Sequence, residues 1–406
     1  MGAARGTYKV VQVFFTLVNF PKHQRSQVDR LQLGMVFKEK LLKKYSYDVI
    51  FHKMVEDMKK LEEGIIINNP EPKKVKFGLC IYVADNLEAH LMGGFSSCFS
   101  SKSVCRHCHI QYEQLDENIH DYDGDKAHDK WTVNEYDSII ANIGVDQEET
   151  SMSVSGNEVM LAGDIFPPNS DFENSVEDEE FSDSDDAADD GHGEEHIDNR
   201  GVKSKCPLNV LQSFHCVQGF PPDLLHDLFE GVVPEDLLGI IRLLSLKDWF
   251  TIEEYNRCLR RMGWTSYETT DKPLDVPINM KATKLKGKAV SHWVHIRNFP
   301  LIIDSFVTDK SDPVLALGLK LHEVTERITA TEYYQYEIHL LKEAVLEYLD
   351  MRKEIRLENP RFLSRPKPKH HFISHYCDFI KVFGPPITYW TARFESKHRI
   401  AKVLSL

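Results

Sequence analysis

Cys105-Arg-His-Cys108 is the one pair of cysteines at metal-knuckle spacing in the sequence, and it cannot close a metal site alone. Two thiolates at this spacing can hold one Zn²⁺, but a tetrahedral site needs two more ligands. His107 and His109 sit within or beside the knuckle, where tetrahedral geometry is awkward. The distant candidate is His370-His371-Phe-Ile-Ser-His375, in which His370 and His375 flank four residues. A lone Cys-x-x-Cys also fits two packed, redox-inert cysteines. Eight cysteines in 406 residues with one close pair do not make a disulfide framework, which leaves reduced thiols or metal ligands.

With 42% hydrophobic and 28% charged residues, the chain has the composition of a globular protein. Its net charge of −14 is localised: Asp171 to Asn199 hold 14 acids and no Lys or Arg, and the remainder is neutral. That remainder is compatible with a basic face. The longest apolar runs, such as Val10 to Phe20, are too short to cross a bilayer, and no secretory leader opens the chain, so an intracellular protein with no membrane partner is expected.

Tyr8 to Phe20 is dense in β-branched and aromatic residues and reads as a strand closed by Pro21. Val28, Leu31, Met35 and Val36 keep helical spacing, as do Tyr47, Ile50, Met54, Met58 and Leu61, with Gly64 placed as a stop. Phe77 to Ala84 reads as a buried strand with Asp85 at its carboxyl end, and this alternation indicates an α/β sheet. From about Asp116 to Gly201 periodicity is lost, and the acidic run reads as a disordered loop. Helices are predicted from Pro234, from a Thr251/Glu254 capping box, across Pro313 to Ile328 and across Thr331 to Leu357. No internal repeat is present.

Asp85 at a strand end is placed to hold a divalent metal, although strand-end aspartates often only cap the next turn. Glu395 in Thr-Ala-Arg-Phe-Glu395 has an equally plain alternative as a surface glutamate. In Phe220 to Pro234, His226 and Glu230 are four apart, as are Asp223 and Asp227, so each pair shares a helix face. The pattern is not His-Glu-x-x-His, which removes a zinc-protease reading; the plain alternative is a helix entrance with Asp223 as cap.

The series ARGTYKVVQVFFTLVNFP, IYVADNLEAHLMGGF, CRHC, FPPDLLHDLFEGVVP, KPKHHFISHY and WTARFESKH resembles the catalytic region of CACTA/Chapaev-type (En/Spm-like) DDE transposases. It is more distantly similar to the catalytic subunit of the V(D)J recombinase. The resemblance spans nearly the whole chain except the acidic run, and its specificity lies in the order and spacing of the motifs. It implies an α/β fold of RNase H-like type, interrupted by a large, mainly helical insertion and carrying a split zinc site. Residues 1–115 would be the first part of the core with the knuckle, and 116–201 the irregular and acidic stretch. Residues 202–360 would be the insertion, and 361–406 the histidines and the glutamate helix that complete the core. Cys105, Cys108, His370 and His375 would bind structural Zn²⁺. Asp85 and Glu395 would be catalytic and bind Mg²⁺, with His226 and Glu230 as accessory residues. The reaction implied is metal-dependent DNA strand cleavage and transfer. DNA is the expected partner, with a second copy of the chain as a further candidate, and the location is nuclear.

In the family the first catalytic aspartate lies just before the segment matching Ala3 to Gly6, and the earliest acid here is Asp29. An N-terminally truncated copy, inactive alone, is therefore expected. The competing reading is a zinc-stabilised nuclear protein that binds DNA or protein without chemistry. A metallohydrolase using His226, Asp227 and Glu230 is a second rival.

Overall fold

Val10–Phe15 (β1) pairs antiparallel with Gln32–Lys38 (β2), so that Val11 meets Phe37 and Val13 meets Met35 on a shared apolar face. The structure is a computed structural model and describes residues 10–25, 27–99, 102–117, 128–151, 200–265 and 268–397. The acidic run Asp171 to Asn199 lies outside these residues. The helix expected around Val28 to Val36 is thus corrected to a strand. Its apolar residues fit either period, and pairing with β1 satisfies the backbone while Phe37 reaches the core.

The short helices Lys22–Arg25 (α1) and Lys40–Lys44 (α2) flank β2, and Tyr47–Glu63 (α3) follows, ended by Gly64 at φ 104° as expected. Phe51 and Val55 are the buried residues of α3. Ile65–Asn68 (β3) and Pro72–Val75 (β4) form a second, exposed hairpin. Among the described residues Phe77 to Ala84 pairs with no strand, which corrects the buried-strand expectation. Three anchors hold it instead: the Phe77 amide donates to the Leu61 carbonyl at 3.0 Å, the Leu79 amide to Ser213 Oγ at 2.9 Å, and the Tyr82 amide to the Gly219 carbonyl at 2.9 Å. The molecule is mixed α/β with two two-stranded sheets among the described residues; a central multi-stranded RNase H-like sheet is not formed there.

Asn86–Met92 (α4), Val133–Ser151 (α5) and Cys216–Gly219 (α6) complete the first half. Gly94, at φ +71°, lets the chain after residue 200 lie directly on the end of α4; a Cβ there would stand 1.7 Å from the Ser204 carbonyl oxygen.

The second half is helical. A π-helix at Leu225–Val232 runs into Val233–Ser245 (α7), with Pro234 in its first turn. Ile252–Arg261 (α8) starts at the Thr251/Glu254 capping box, formed in both directions. Ala289–Asp304 (α9), Pro313–Ile328 (α10) and Gln335–Glu358 (α11) pack around α7, whose Leu237, Ile240, Ile241 and Leu244 are at most 1% exposed. Pro368–Phe372 (α12), a 3₁₀ turn at Ile373–His375 and Tyr376–Phe383 (α13) return the chain to the first half, and a last helix covers 392–397. No helix of the described residues is long and apolar enough to cross a membrane.

Candidate metal centre and carboxylate cluster

Cys105, Cys108, His371 and His375 converge, with one donor atom from each lying within 4.8 Å of all the others. Cys105 Sγ is 3.3 Å from His375 Nε2, Cys108 Sγ is 3.1 Å from His371 Nε2, and the two Nε2 atoms are 2.9 Å apart. Tetrahedral zinc with bonds of ~2.0–2.3 Å gives ligand–ligand edges of roughly 3.3–3.8 Å, so this donor set is close to coordination geometry. All four residues are buried, and two soft thiolates with two imidazoles suit zinc. Burial pushes the Cys105 thiol up, but the hydrogen bond with Cys108 and the neighbouring His375 and His371 outweigh it. The net effect holds the thiol well below its usual range, the form a metal needs. The His107 amide donates to Cys105 Sγ at 3.3 Å, a further stabiliser of negative sulfur.

The histidine pair differs from the expected one. His371 and His375 are four apart across α12 and the 3₁₀ turn and so share a face, whereas His370 and His375 are five apart and do not. His370 serves another purpose. It accepts the Lys367 amide on Nδ1 at 3.1 Å, which leaves Nε2–H to face Asp236 Oδ2 at 3.3 Å. Asp236 also receives Arg352 in a two-pronged pair, at 2.6 and 2.9 Å, and the Tyr348 hydroxyl. The signal for His371 was present in the sequence as the i, i+4 spacing to His375.

Asp85 caps α4, with Oδ1 accepting the Glu88 amide at 2.8 Å, which is the plain role weighed for it. Its charge contributes last among the causes that raise both the Glu395 carboxyl and the His226 ring. His226 is the hub. Its Nδ1 is 2.6 Å from Asp223 Oδ2, and its Nε2 lies 3.3 Å from Glu395 Oε1 and 4.0 Å from Glu230 Oε2. Asp223 is fully buried and is fixed by the amide and hydroxyl of Thr391, at 2.9 and 2.6 Å. Burial pushes the His226 ring down, yet Asp223, Glu395 and Asp85 together raise it to about 9. Burial raises the Glu395 carboxyl, His226 opposes this, and Glu230, Asp223 and Asp85 add to the rise. Among the described residues, the cysteine–histidine set is the group of three or more such donors that closes to mutual coordination distance; the carboxylates of this cluster do not.

Because the folded His226 value lies above the ordinary ~6.5, its interactions contribute fully below that pH and are lost as pH rises through about 9. Urea titrations of wild type and His226→Gln should therefore differ by up to ~3 kcal/mol near pH 6 and converge above pH ~9.5. An unchanging difference across that window would show the ring to be neutral throughout.

A buried network that sequence reasoning missed joins the two centres. Arg106, inside the knuckle and 1% exposed, donates to Asn86 Oδ1 at 2.8 Å and to the Pro221 carbonyl at 3.1 Å. Asn86 in turn bonds Asp227, which Tyr376 also reaches at 3.3 Å. Burial, offset in part by Arg106, pushes the Asp227 carboxyl up to about 6. Asp227 therefore belongs to the scaffold and is not grouped with His226 and Glu230 as a hydrolase site would require.

Compared with protein-family models and with curated proteins, the sequence matches none.

Proposed function

We propose that this chain is a zinc-stapled relative of the DDE transposase catalytic core that binds DNA and holds a divalent cation weakly near Asp85 and Glu395. The observation that carries the reading is a double closure. The knuckle meets the C-terminal histidines, and His226 stands 3.3 Å from Glu395 within the field of Asp85. Zinc in the buried four-ligand set would be structural, because no coordination position is left for substrate or water. Asp85 and Glu395 would be two of the carboxylates that the resemblance calls for. The acids around His226 do not close to mutual coordination distance, so a pair of Mg²⁺ ions would be under-neutralised and poorly occupied. A nuclear, DNA-binding role without strand cleavage is the form the reading takes here.

The zinc-loaded chain should bind Mn²⁺ weakly, as read by electron paramagnetic resonance. Glu395→Gln should abolish that signal and leave zinc in place. DNA affinity should fall steeply with salt, since phosphate contacts would dominate it. Robust Mg²⁺-dependent nicking that Glu395→Gln removes would overturn the non-catalytic part; absence of both Mn²⁺ and DNA binding would overturn the whole.

A further inference from the structure

The two strands of the β3–β4 hairpin guard their outer edges unequally. β4 carries the devices that keep a sheet edge from pairing: Pro72 has no amide to donate, and Lys73 and Lys74 put charge along it. β3 carries none of them. It reads Ile65-Ile66-Ile67-Asn68, and no charged residue occurs from Gly64 to Pro70. All of its residues are exposed, Ile66 by 69%. Among the described residues β3 pairs with β4 alone and no other backbone group bonds it, so the amides and carbonyls of its far edge have no partner there.

A bare apolar strand edge is a surface for pairing, and a two-stranded hairpin open to water gains most from a further strand. Charge decides which strand fits. Nothing on β3 selects an acidic or a basic peptide, but a neutral edge meets its own image without repulsion. Antiparallel pairing of β3 with the same strand of a second copy gives a four-stranded sheet with the two β4 strands outermost. The lysine-bearing strands then stand three strand spacings apart, ~14 Å, beyond the ~8–10 Å over which charges act at ordinary salt. Pairing through β4 would instead set lysine against lysine at ~5 Å and lose the bond that Pro72 cannot make.

We propose that β3 is a self-association edge, through which two copies of this chain pair as one continuous antiparallel sheet. A two-fold axis perpendicular to the sheet leaves each side chain on its own face, so the register must centre on a residue. Centred on Ile66, it sets Ile66 against its own image on one face and Ile65 against Ile67 on the other. The three isoleucines now in water then cover one another, and the outward backbone groups of both strands are paired. A four-residue strand covers well under the ~1,000 Å² of a stable interface, so the dimer is weak and depends on concentration.

The test is sedimentation velocity of the zinc-loaded 406-residue chain, with zinc content and far-ultraviolet circular dichroism confirming that each variant is folded. Wild type should move from 46.9 kDa toward twice that mass as the chain is raised from ~1 to ~200 µM. Ile66→Lys places two ammonium groups ~5 Å apart across the axis and should weaken association at least ~tenfold, as should Ile66→Glu with two carboxylates. An equimolar mixture of the two variants should associate again, because each charge then faces its opposite. Leu301→Lys makes the same exchange at a 70%-exposed residue of α9 and should behave as wild type. A wild-type chain that stays monomeric at ~200 µM would overturn the proposal. So would an unchanged dimer in Ile66→Lys, which would put the contact elsewhere, and an equal loss in Leu301→Lys, which would mean unspecific adhesion. Loss in both Ile66 variants without recovery in the mixture would mean an asymmetric contact and overturn the two-fold pairing. No arm uses DNA or Mn²⁺, so the outcome stands apart from the proposed function.

Discussion

His371→Ala and Cys108→Ser should each strip about one zinc from the purified chain and collapse the contact between the knuckle and α12–α13, whereas His370→Ala should keep the metal. Structural zinc in small domains carries on the order of 10 kcal/mol of apparent binding free energy at neutral pH, comparable to the whole stability of a domain. Here the metal would sit on a small cluster of Val104, Ile110, Leu115 and Phe372, too few apolar groups to hold residues 105 and 375 together once the ligands are lost. Zinc content by mass spectrometry under native conditions and protease sensitivity between residues 360 and 397 would read the outcome. Zinc retained in His371→Ala but lost in His370→Ala would reverse the ligand assignment.

The next largest effect should come from breaking the buried pair of Asp236 and Arg352. Both side chains are at most 1% exposed, and their two-pronged contact is shared with Tyr348 and His370. Arg352→Met leaves a carboxylate without its counter-charge in the core of the helical half and should cost roughly 3–5 kcal/mol. Asp236→Asn/Arg352→Met should recover much of that, because the uncompensated charge is gone. Burial pushes the Asp236 carboxyl up, but Arg352 and His370 overcome this and hold it far below the usual carboxylate range. A depressed folded value gives stability that is present above the unfolded ~3.9 and is lost as pH falls below it. Wild type should therefore weaken steeply below pH ~4, while the double variant should show a flatter acid limb. A single variant that unfolds at the wild-type urea midpoint would show the pair to be dispensable.

Helix starts and stops were legible in the residues themselves. Gly64, the Thr251/Glu254 box and Pro313 each act through their own backbone within one turn, so no distant contact is needed to place them. The strands were less legible. Met35 and Val36 fit helical spacing with Val28 and Leu31, yet they lie in β2, because a strand is decided by what pairs with it, here β1. Phe77 to Ala84 has strand composition, but among the described residues no strand pairs with it, and single anchors at Leu61, Ser213 and Gly219 hold it.

The candidate site divides in the same way. Cys105 and Cys108 were readable as a metal pair because two residues of spacing suffice to aim both sulfurs at one point, whereas the pairing of Asp85 with Glu395 was an expectation from resemblance alone. The sequence by itself determined which donors could meet a metal: two cysteines at knuckle spacing and a histidine-rich turn far along the chain. Which of two adjacent histidines turns to the knuckle was a tertiary decision. Asp236 and Arg352 claim His370 from one side of α12, and the helical rotation then presents His371 and His375 to the sulfurs. The position of His226 between Asp223 and Glu395 was likewise set by packing. Local spacing fixes directions along one element, but the meeting of elements hundreds of residues apart depends on which buried charges and apolar faces must be satisfied together.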